Sequence, residues 1–158
     1  MKVIFLCTGV TTHASVADLL GEYADRASRY VPFQVVELQL PSRRGAQPVS
    51  RQCEQEGELQ LRFLLPSDYV VLLSERGTQF TSLGFANWLQ RQLASLSSRR
   101  LIFVVGGAYG FSPAMIERAN AQISLSSMTF PHQLVRPIFA EQFYRALTIL
   151  KGLPYHHE

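Results

Sequence analysis

The residues best placed to do chemistry form a glycine-rich loop between a short strand and a helix. Leu101–Val105 is a continuous apolar run, which is typical of a strand buried on both faces. Three glycines follow within five positions, at Gly106, Gly107 and Gly110, and glycine lets a ligand approach the backbone closely. Ser112–Pro113 then has the residue types of a helix N-cap and first helical position. A strand, a glycine loop and a helix N-terminus predict a ligand cradle.

A second turn of small residues comes after this cradle. The helix that starts at Pro113 is predicted to run to about Ile123, and Ser124–Thr129 follows it. The hydroxyl and amide groups of this turn are available to a ligand. We therefore expect two loops, rather than one, to contribute to the site.

Several common sites do not match these residues. A dinucleotide fingerprint requires G-x-G-x-x-G after the first strand, whereas G-G-x-x-G here follows the fourth. The chain contains no Gly-Lys-Ser/Thr of a phosphate-binding loop, and Ser112 does not lie in the nucleophile elbow of a hydrolase. These observations argue against a dehydrogenase, a P-loop NTPase and a serine hydrolase.

Strands and helices alternate along the whole chain. The predicted strands are Lys2–Cys7, Phe33–Leu40, Tyr69–Leu73 and Leu101–Val105. The predicted helices are one capped by Ser15, then Val49–Leu65, Leu83–Leu96, Pro113–Ile123 and an amphipathic segment Pro131–Lys151. Alternation of this kind predicts an α/β fold with a mostly parallel sheet flanked by helices, in a single domain over residues 1–158. Pro137 predicts an irregular start to the last helix.

Composition narrows the class further. No window approaches the roughly 18 apolar residues of a membrane span. The N-terminal apolar run is too short for a signal peptide, so we expect a cytoplasmic protein. Cys7 and Cys53 are isolated and lack metal-ligand spacing, which predicts free thiols and no metal site.

The charge pattern is compatible with nucleic acid without requiring it. The net charge is +3, and arginine greatly outnumbers lysine among the basic residues. The planar guanidinium group of arginine matches phosphate oxygens, although genome base composition produces the same bias. Arg43 and Arg44 lie in a polar turn, Pro41–Pro48, which is either a binding loop or simply solvated charge.

The last third of the chain carries four motifs in a fixed order. They are Gly106–Ser112 (GGAYGFS), Leu125–Leu134 (LSSMTFPHQL), Glu141–Ala146 (EQFYRA) and Pro154–His157 (PYHH). In sequence and spacing these motifs resemble the C-terminal motifs of the RlmH family, which are small SPOUT-class methyltransferases of similar length. The N-terminal two thirds agree with the family mainly in pattern.

The resemblance implies a fold, a reaction and a cofactor. The fold is a Rossmann-like sheet whose C-terminal part forms a deep trefoil knot, and the protein is a homodimer. The reaction is methylation at N3 of a pseudouridine in large-subunit (23S) ribosomal RNA within assembled ribosomes. The knot loops would hold S-adenosylmethionine, and the positions that match the family's cofactor residues are Leu73, Gly106, Leu125, Ser126, Ser127, Met128, Thr129 and Phe130. Gly107 and Gly110 belong to the same cradle.

The resemblance also raises catalytic roles for Arg145, Tyr155 and His156. Arg145 can stabilise negative charge on the target base, while Tyr155 and His156 offer hydrogen bonding or proton transfer. His156 is the natural proton acceptor, or it only positions the base. We expect the C-terminal tail to be mobile without ligand and to close over the cofactor.

The last helix suggests where two copies would meet. Leu134, Ile138 and Phe139 form an apolar stripe, which predicts a two-fold interface along that helix. Two departures from the family pattern accompany this expectation. The loop Thr8–Thr11 lacks the lysine that often follows its glycine, and Pro137 replaces an aliphatic residue.

Two other functions remain open at the level of sequence. One is a knotted RNA-binding or ribosome-associated module that binds the cofactor without turnover. The other is a nucleotide-binding regulatory domain that contacts no RNA. His132 also has two interpretations, as a cap of the helix that follows Pro131 or as a member of the site.

Overall fold

A five-stranded parallel sheet forms the middle layer of the protein. The computed structural model describes residues 1–42, 46–95 and 99–158. The strands are β1 (Lys2–Thr8), β2 (Phe33–Leu38), β3 (Tyr69–Gln79), β4 (Arg100–Val105) and β5 (Ala121–Ser124). Their order is β2-β1-β4-β3-β5, and every pair between neighbours is parallel. The predicted α/β fold is confirmed, while its C-terminal knot stays a prediction of the resemblance.

Helices cover both faces of this sheet. They are α1 (Ala14–Ser28), α2 (Val49–Phe63), α3 (Ser82–Ser95), α4 (Pro113–Arg118) and α5 (Val135–Leu150). Alternate strand residues point to opposite layers, as the strand period of two requires. Phe5 and Phe103 pack with α1, α3 and α5, whereas Leu6 and Val104 pack with Met115 of α4. Arg43, Arg44 and the predicted helix end at Leu96 lie outside the described residues.

Strand β3 is longer than the sequence pattern predicts. The apolar run ends at Leu73, but the strand continues to Gln79 because its second half pairs with β5. Ile123 is the register partner of both Leu73 and Thr78, so the four residues between them bulge out of the ladder. A Cβ at Gly77 would lie 2.5 Å from the backbone of Ile123, so the crossing of the two strands requires glycine there.

The helix predicted over Pro113–Ile123 is wrong in its second half. Helix α4 ends at Arg118, and β5 begins at Ala121 after a two-residue connection. Asn120 explains the change, because its backbone N–H donates to Val70 O at 2.8 Å and its Oδ1 accepts from Val70 N at 2.8 Å. The side chain thus continues the sheet ladder and draws the chain to the edge of β3.

The start of α1 differs from the prediction, whereas the starts of α4 and α5 agree with it. His13, not Ser15, occupies the N-cap of α1. Ser112 caps α4 as predicted, since its Oγ accepts from Met115 N at 3.2 Å. The irregular start before α5 is also confirmed, because the helix begins only at Val135. Pro137 then falls in its first turn, where a missing N–H costs no intrahelical bond.

Phe139 belongs to the core of the single chain. Its ring centroid lies 4.7 Å from that of Phe5 and 4.8 Å from that of Phe103, and the residue is fully buried. The expectation that Phe139 lies on an exposed interface stripe is therefore wrong. Leu134 remains 45% exposed at the start of α5, so only that end of the predicted stripe is free on the surface.

Candidate functional site

A cavity of about 530 Å³ opens at the carboxyl ends of β4 and β5, beside the middle of β3. This is the edge at which open α/β sheets bind their ligands. All of the predicted cofactor residues except Ser127 line it, namely Leu73, Gly106, Gly107, Gly110, Leu125, Ser126, Met128, Thr129 and Phe130. The remaining lining includes Val105, Ile116, Gln122, His132 and Val135, so the wall carries both apolar and polar groups.

The glycine loop closes one side of this cavity with bare backbone. Gly107 and Gly110 form an isolated bridge, and Gly110 adopts a φ of +82°, which favours glycine. A Cβ at Gly106 would lie 3.0 Å from Gly110 O, and one at Gly107 would meet the carboxylate of Glu56. The loop therefore packs tightly against itself and against α2.

The bulge in β3 forms the opposite wall. Ser74, Glu75 and Arg76 leave the ladder between the two pairings of Ile123 and line the cavity. Glu75 Oε2 accepts a hydrogen bond from Thr129 Oγ1 at 3.2 Å, which joins the bulge to the second loop. From the sequence, Ser74–Thr81 is expected to be a loop at the carboxyl end of a strand, where open α/β sheets bind ligands, and Ser74–Arg76 do line the cavity. What the sequence did not predict is that these residues bulge within a longer strand.

The second loop is shaped by its own side chains. Ser124 Oγ donates to Ser126 O at 2.8 Å, and Met128 N donates to Ser126 Oγ at 3.0 Å. Met128 extends from this turn and is 77% exposed, which is unusual for a methionine at a cavity mouth.

Arg136 fastens the loop that follows β1 to the start of α5. Its guanidinium is fully buried and donates to Gly9 O, Thr11 Oγ1 and Thr8 O, each at 2.9 Å. Gln133 adds a second attachment, since its Nε2 donates to Val10 O at 3.1 Å and its Oε1 accepts from the Thr12 N–H. The sequence carried a signal for this role, because Arg136 falls on the buried face of α5.

A second cavity, of about 370 Å³, lies beside the first. Its lining residues come from the loop after β1, from α2 and from the segment 131–134. Gly107, Ala108, Tyr109 and His132 line both cavities. His132 thus stands between the two cavities rather than at the N-cap of α5, which is Leu134. Of the two interpretations of His132, the structure favours membership of the site.

The three predicted catalytic residues come together in a cluster on α5. Arg145 Nη1 donates to His156 Nδ1 at 3.2 Å, and the Arg145 guanidinium lies 5.0 Å from the centroid of the Tyr155 ring. Glu141 joins them, accepting from Arg145 Nη2 at 2.5 Å and from Tyr155 Oη at 3.0 Å. The tail is therefore packed on α5, contrary to the expectation that it is mobile. Its turn is fixed by Gly152, which ends α5 at a φ of +67°.

The contacts of this cluster restrict its chemistry. Arginine has no acceptor atom, so His156 Nδ1 must carry a lone pair and the ring proton resides on Nε2. Burial, followed by hydrogen bonds with Tyr23 and Glu141, raises the pKa of Tyr155 well above its ordinary value. Tyr155 is thus a neutral hydroxyl that donates to Glu141.

This cluster and the cavity lie apart within one chain. Neither Arg145, Tyr155 nor His156 lines the cavity, although Val135 at the start of α5 does. Ten residues separate Val135 from Arg145, which corresponds to about 15 Å along a helix. The structure gathers the predicted cofactor residues in one place and the predicted catalytic residues in another.

The remaining sequence expectations concern metals, thiols and membranes. Within residues 1–42, 46–95 and 99–158, no cluster of His, Cys, Asp or Glu could hold a metal ion. Neither Cys7 nor Cys53 forms a disulfide bond, and burial raises the pKa of the Cys7 thiol to about 12. None of the helices in the described part of the chain is long and apolar enough to cross a membrane.

Comparison with known proteins gives the same assignment over the whole chain. A family model described as "Predicted SPOUT methyltransferase" matches residues 1–156. A protein of Parabacteroides distasonis named "Ribosomal RNA large subunit methyltransferase H" is 44% identical over 160 residues, covering all of both chains. A protein of the same name from Christiangramia forsetii is 43% identical over 157 residues and covers 99% of each.

A solved structure agrees at the level of fold. A probable methyltransferase from Bordetella pertussis superposes with a TM-score of 0.57 at 16% identity, covering 92% of this chain and 96% of that one. Because the family match extends over almost every residue, including the glycine loop, the bulge, the second loop and the packed tail, the chain belongs to the SPOUT methyltransferase family.

Proposed function

We propose that this protein transfers a methyl group from S-adenosylmethionine to N3 of a pseudouridine in large-subunit ribosomal RNA, within the assembled ribosome. The observation that carries the proposal is the cavity at the carboxyl ends of β4 and β5, which is lined by the two loops that the sequence motifs singled out. The name of the full-length relatives supports the RNA substrate. Work on ribosomes would also agree with a cytoplasmic location.

The cavity fits a methyl donor of this size and chemistry. A volume of about 530 Å³ is in the range of drug-sized ligand sites. Leu73, Ile116 and Phe130 offer apolar surface to an adenine ring, and Gly106 and Gly107 line the same cavity. Bound there, S-adenosylmethionine supplies an electrophilic methyl group on a sulfonium centre.

The tail cluster, which consists of Arg145, Tyr155, His156 and Glu141, has side chains with the chemistry that the methyl acceptor requires. N3 of a pseudouridine is an imide nitrogen that must lose its proton, and the adjoining carbonyls gain negative charge as it does so. Arg145 stabilises that charge without losing its own, and His156 donates from Nε2 to hold the base.

We infer that the protein works as a homodimer, because one chain does not bring the tail cluster to its own cavity. Val10, Tyr109, Met128 and Leu134 are exposed apolar residues on the cavity lining or on segments beside it. An isologous interface across this surface would cover them and would bring each tail to the cavity of the other copy. The interface would thus use the start of α5 and the second loop.

Two measurements test the proposed function. Titration calorimetry should show binding of S-adenosylmethionine and no comparable binding of ATP or NAD. Purified protein should then transfer labelled methyl groups to ribosomes that lack the modification. Binding without transfer would favour an RNA-binding or ribosome-associated module without turnover. Binding of ATP or NAD in preference to S-adenosylmethionine would favour a nucleotide-binding regulatory domain.

A further inference from the structure

Glu141 occupies the centre of the tail cluster, although neither the sequence motifs nor the proposed mechanism gives it a role. Its Oε1 accepts two hydrogen bonds, from Arg145 Nη2 at 2.5 Å and from Tyr155 Oη at 3.0 Å. Its Oε2 accepts from Gln142 Nε2 at 2.9 Å. The side chain is only 18% exposed, so both oxygens are held by neighbours in a largely dry environment.

The proposed reaction needs a proton acceptor, and the contacts already described leave few. Arg145 has no acceptor atom, and His156 uses the lone pair of Nδ1 to accept from Arg145. The Tyr155 hydroxyl is protonated and donates a hydrogen bond to Glu141. The lone pairs of Tyr155 Oη are therefore left to act as acceptors. Glu141 is the one carboxylate that this cluster contacts directly among the described residues.

We propose that Glu141 is a positioning residue of the reaction that acts through Tyr155, fixing the direction of its hydroxyl and taking its proton during methyl transfer. The inference rests on the proposed function. As the N3–methyl bond forms and the sulfur–methyl bond breaks with its electron pair left on sulfur, the N3 proton passes to Tyr155 Oη. The Tyr155 proton passes at the same time to Glu141 Oε1, so the charge of Glu141 is neutralised and Tyr155 ends unchanged.

The surroundings of Glu141 suit this transfer. Arg145 pairs with the carboxylate and fixes its position beside the Tyr155 hydroxyl. From α1, Tyr23 contacts the Tyr155 hydroxyl, and Arg26 lies over the Tyr23 and Tyr144 rings while it pairs with Glu22. From the tail, His156 contacts Arg145. No second acid of the described residues is paired with Arg145 or with Tyr155, so the proton has one destination.

The test uses Glu141→Gln, which keeps the size and the acceptor oxygen but cannot take a proton at neutral pH. Methyl transfer to ribosomes should fall in kcat by about 100-fold, with KM for ribosomes and affinity for S-adenosylmethionine within a few-fold. In a Tyr155→Phe background the same substitution should have no further effect, because the two residues act as one unit. Glu54→Gln, at an exposed ion pair with Arg51, is the matched control and should leave kcat unchanged.

A second readout does not depend on activity. In protein labelled at tyrosine Cζ, the resonance that Tyr155→Phe removes should shift in Glu141→Gln and not in Glu54→Gln. Additive losses in the Tyr155→Phe background, or a kcat within about threefold of wild type, would overturn the inference and leave the proposed function intact. A wild-type chain that methylates no ribosomes would overturn both. If Glu141→Gln does not fold, Glu141→Asp should recover part of the activity, and its failure to do so in a folded protein would contradict the inference.

Discussion

Single residues decide whether the cavity can accept its ligand, and Gly106 is the clearest case. Its missing Cβ leaves room against Gly110 O, and the adjoining backbone is the wall that a cofactor would contact. Gly106→Val should abolish binding of S-adenosylmethionine in titration calorimetry while the protein remains folded by circular dichroism. Gly21→Val, where a Cβ would meet nothing within 4 Å, is the control. A folded Gly106→Val protein with unchanged affinity would refute this role for the loop.

Arg136 is a residue whose charge is used for structure. Each of its three contacts with Thr8 O, Gly9 O and Thr11 Oγ1 is a charge-assisted hydrogen bond inside the protein. Arg136→Met leaves these acceptors unpaired and should lower the free energy of unfolding by about 3 kcal/mol or more in urea titrations. Arg51→Met, at an exposed site, should change it by about 0.5 kcal/mol or less. An equal loss of unfolding free energy in both variants would show that the buried contacts of Arg136 do not stabilise the fold.

At the scale of elements, the junction of β3 with β5 shapes the cavity. The bulge between Leu73 and Thr78 depends on Gly77, whose Cβ would lie 2.5 Å from the backbone of Ile123. We expect Gly77→Ala to reduce both the midpoint of thermal unfolding and the affinity for S-adenosylmethionine. Gly21→Ala, in the interior of α1, should instead stabilise the protein slightly. Normal affinity and unfolding temperature in Gly77→Ala would mean that the junction tolerates a side chain.

Periodicity and composition predict most elements of this fold and fail where pairing is non-local. The buried strands Leu101–Val105 and Tyr69–Leu73 were readable as apolar runs, and Ser112 was readable as a cap. The extension of β3 and the existence of β5 were not, because both depend on a contact between residues about fifty positions apart. The place of Ser74–Arg76 at the ligand-binding edge was predictable from the strand before them, whereas their bulge within β3 was not.

At the scale of the whole molecule, the tail cluster lies apart from the cavity of its own chain. A complete site therefore requires the tail of a second copy of the chain. Leu134→Asp places a charge on the exposed apolar rim and should give a monomer by sedimentation at micromolar concentration. The variant should keep its affinity for S-adenosylmethionine and lose methyl transfer. Leu65→Asp, also exposed but at the opposite edge of the sheet, should remain a dimer. A wild-type protein that is monomeric and fully active would contradict the proposal that two copies of the chain share one site.

The sequence predicted only part of the candidate site. The glycine loop and the second loop were readable as local patterns, whereas the roles of Arg145, Tyr155 and His156 came from a family resemblance. Their mutual contacts, with Glu141 between them, arise from the turn at Gly152 that folds the tail back along α5. No local pattern predicts the partner of a tail, because the partner is chosen by the packing of the finished fold.

The most direct test of the proposed activity is a mass-spectrometric map of ribosomal RNA from a strain that lacks the gene for this chain. One pseudouridine of the large-subunit RNA should lose a methyl group at N3. The wild-type gene should restore it, and a gene encoding Arg145→Ala should not. A large-subunit RNA whose pseudouridine methylation is the same with and without the gene would contradict the account.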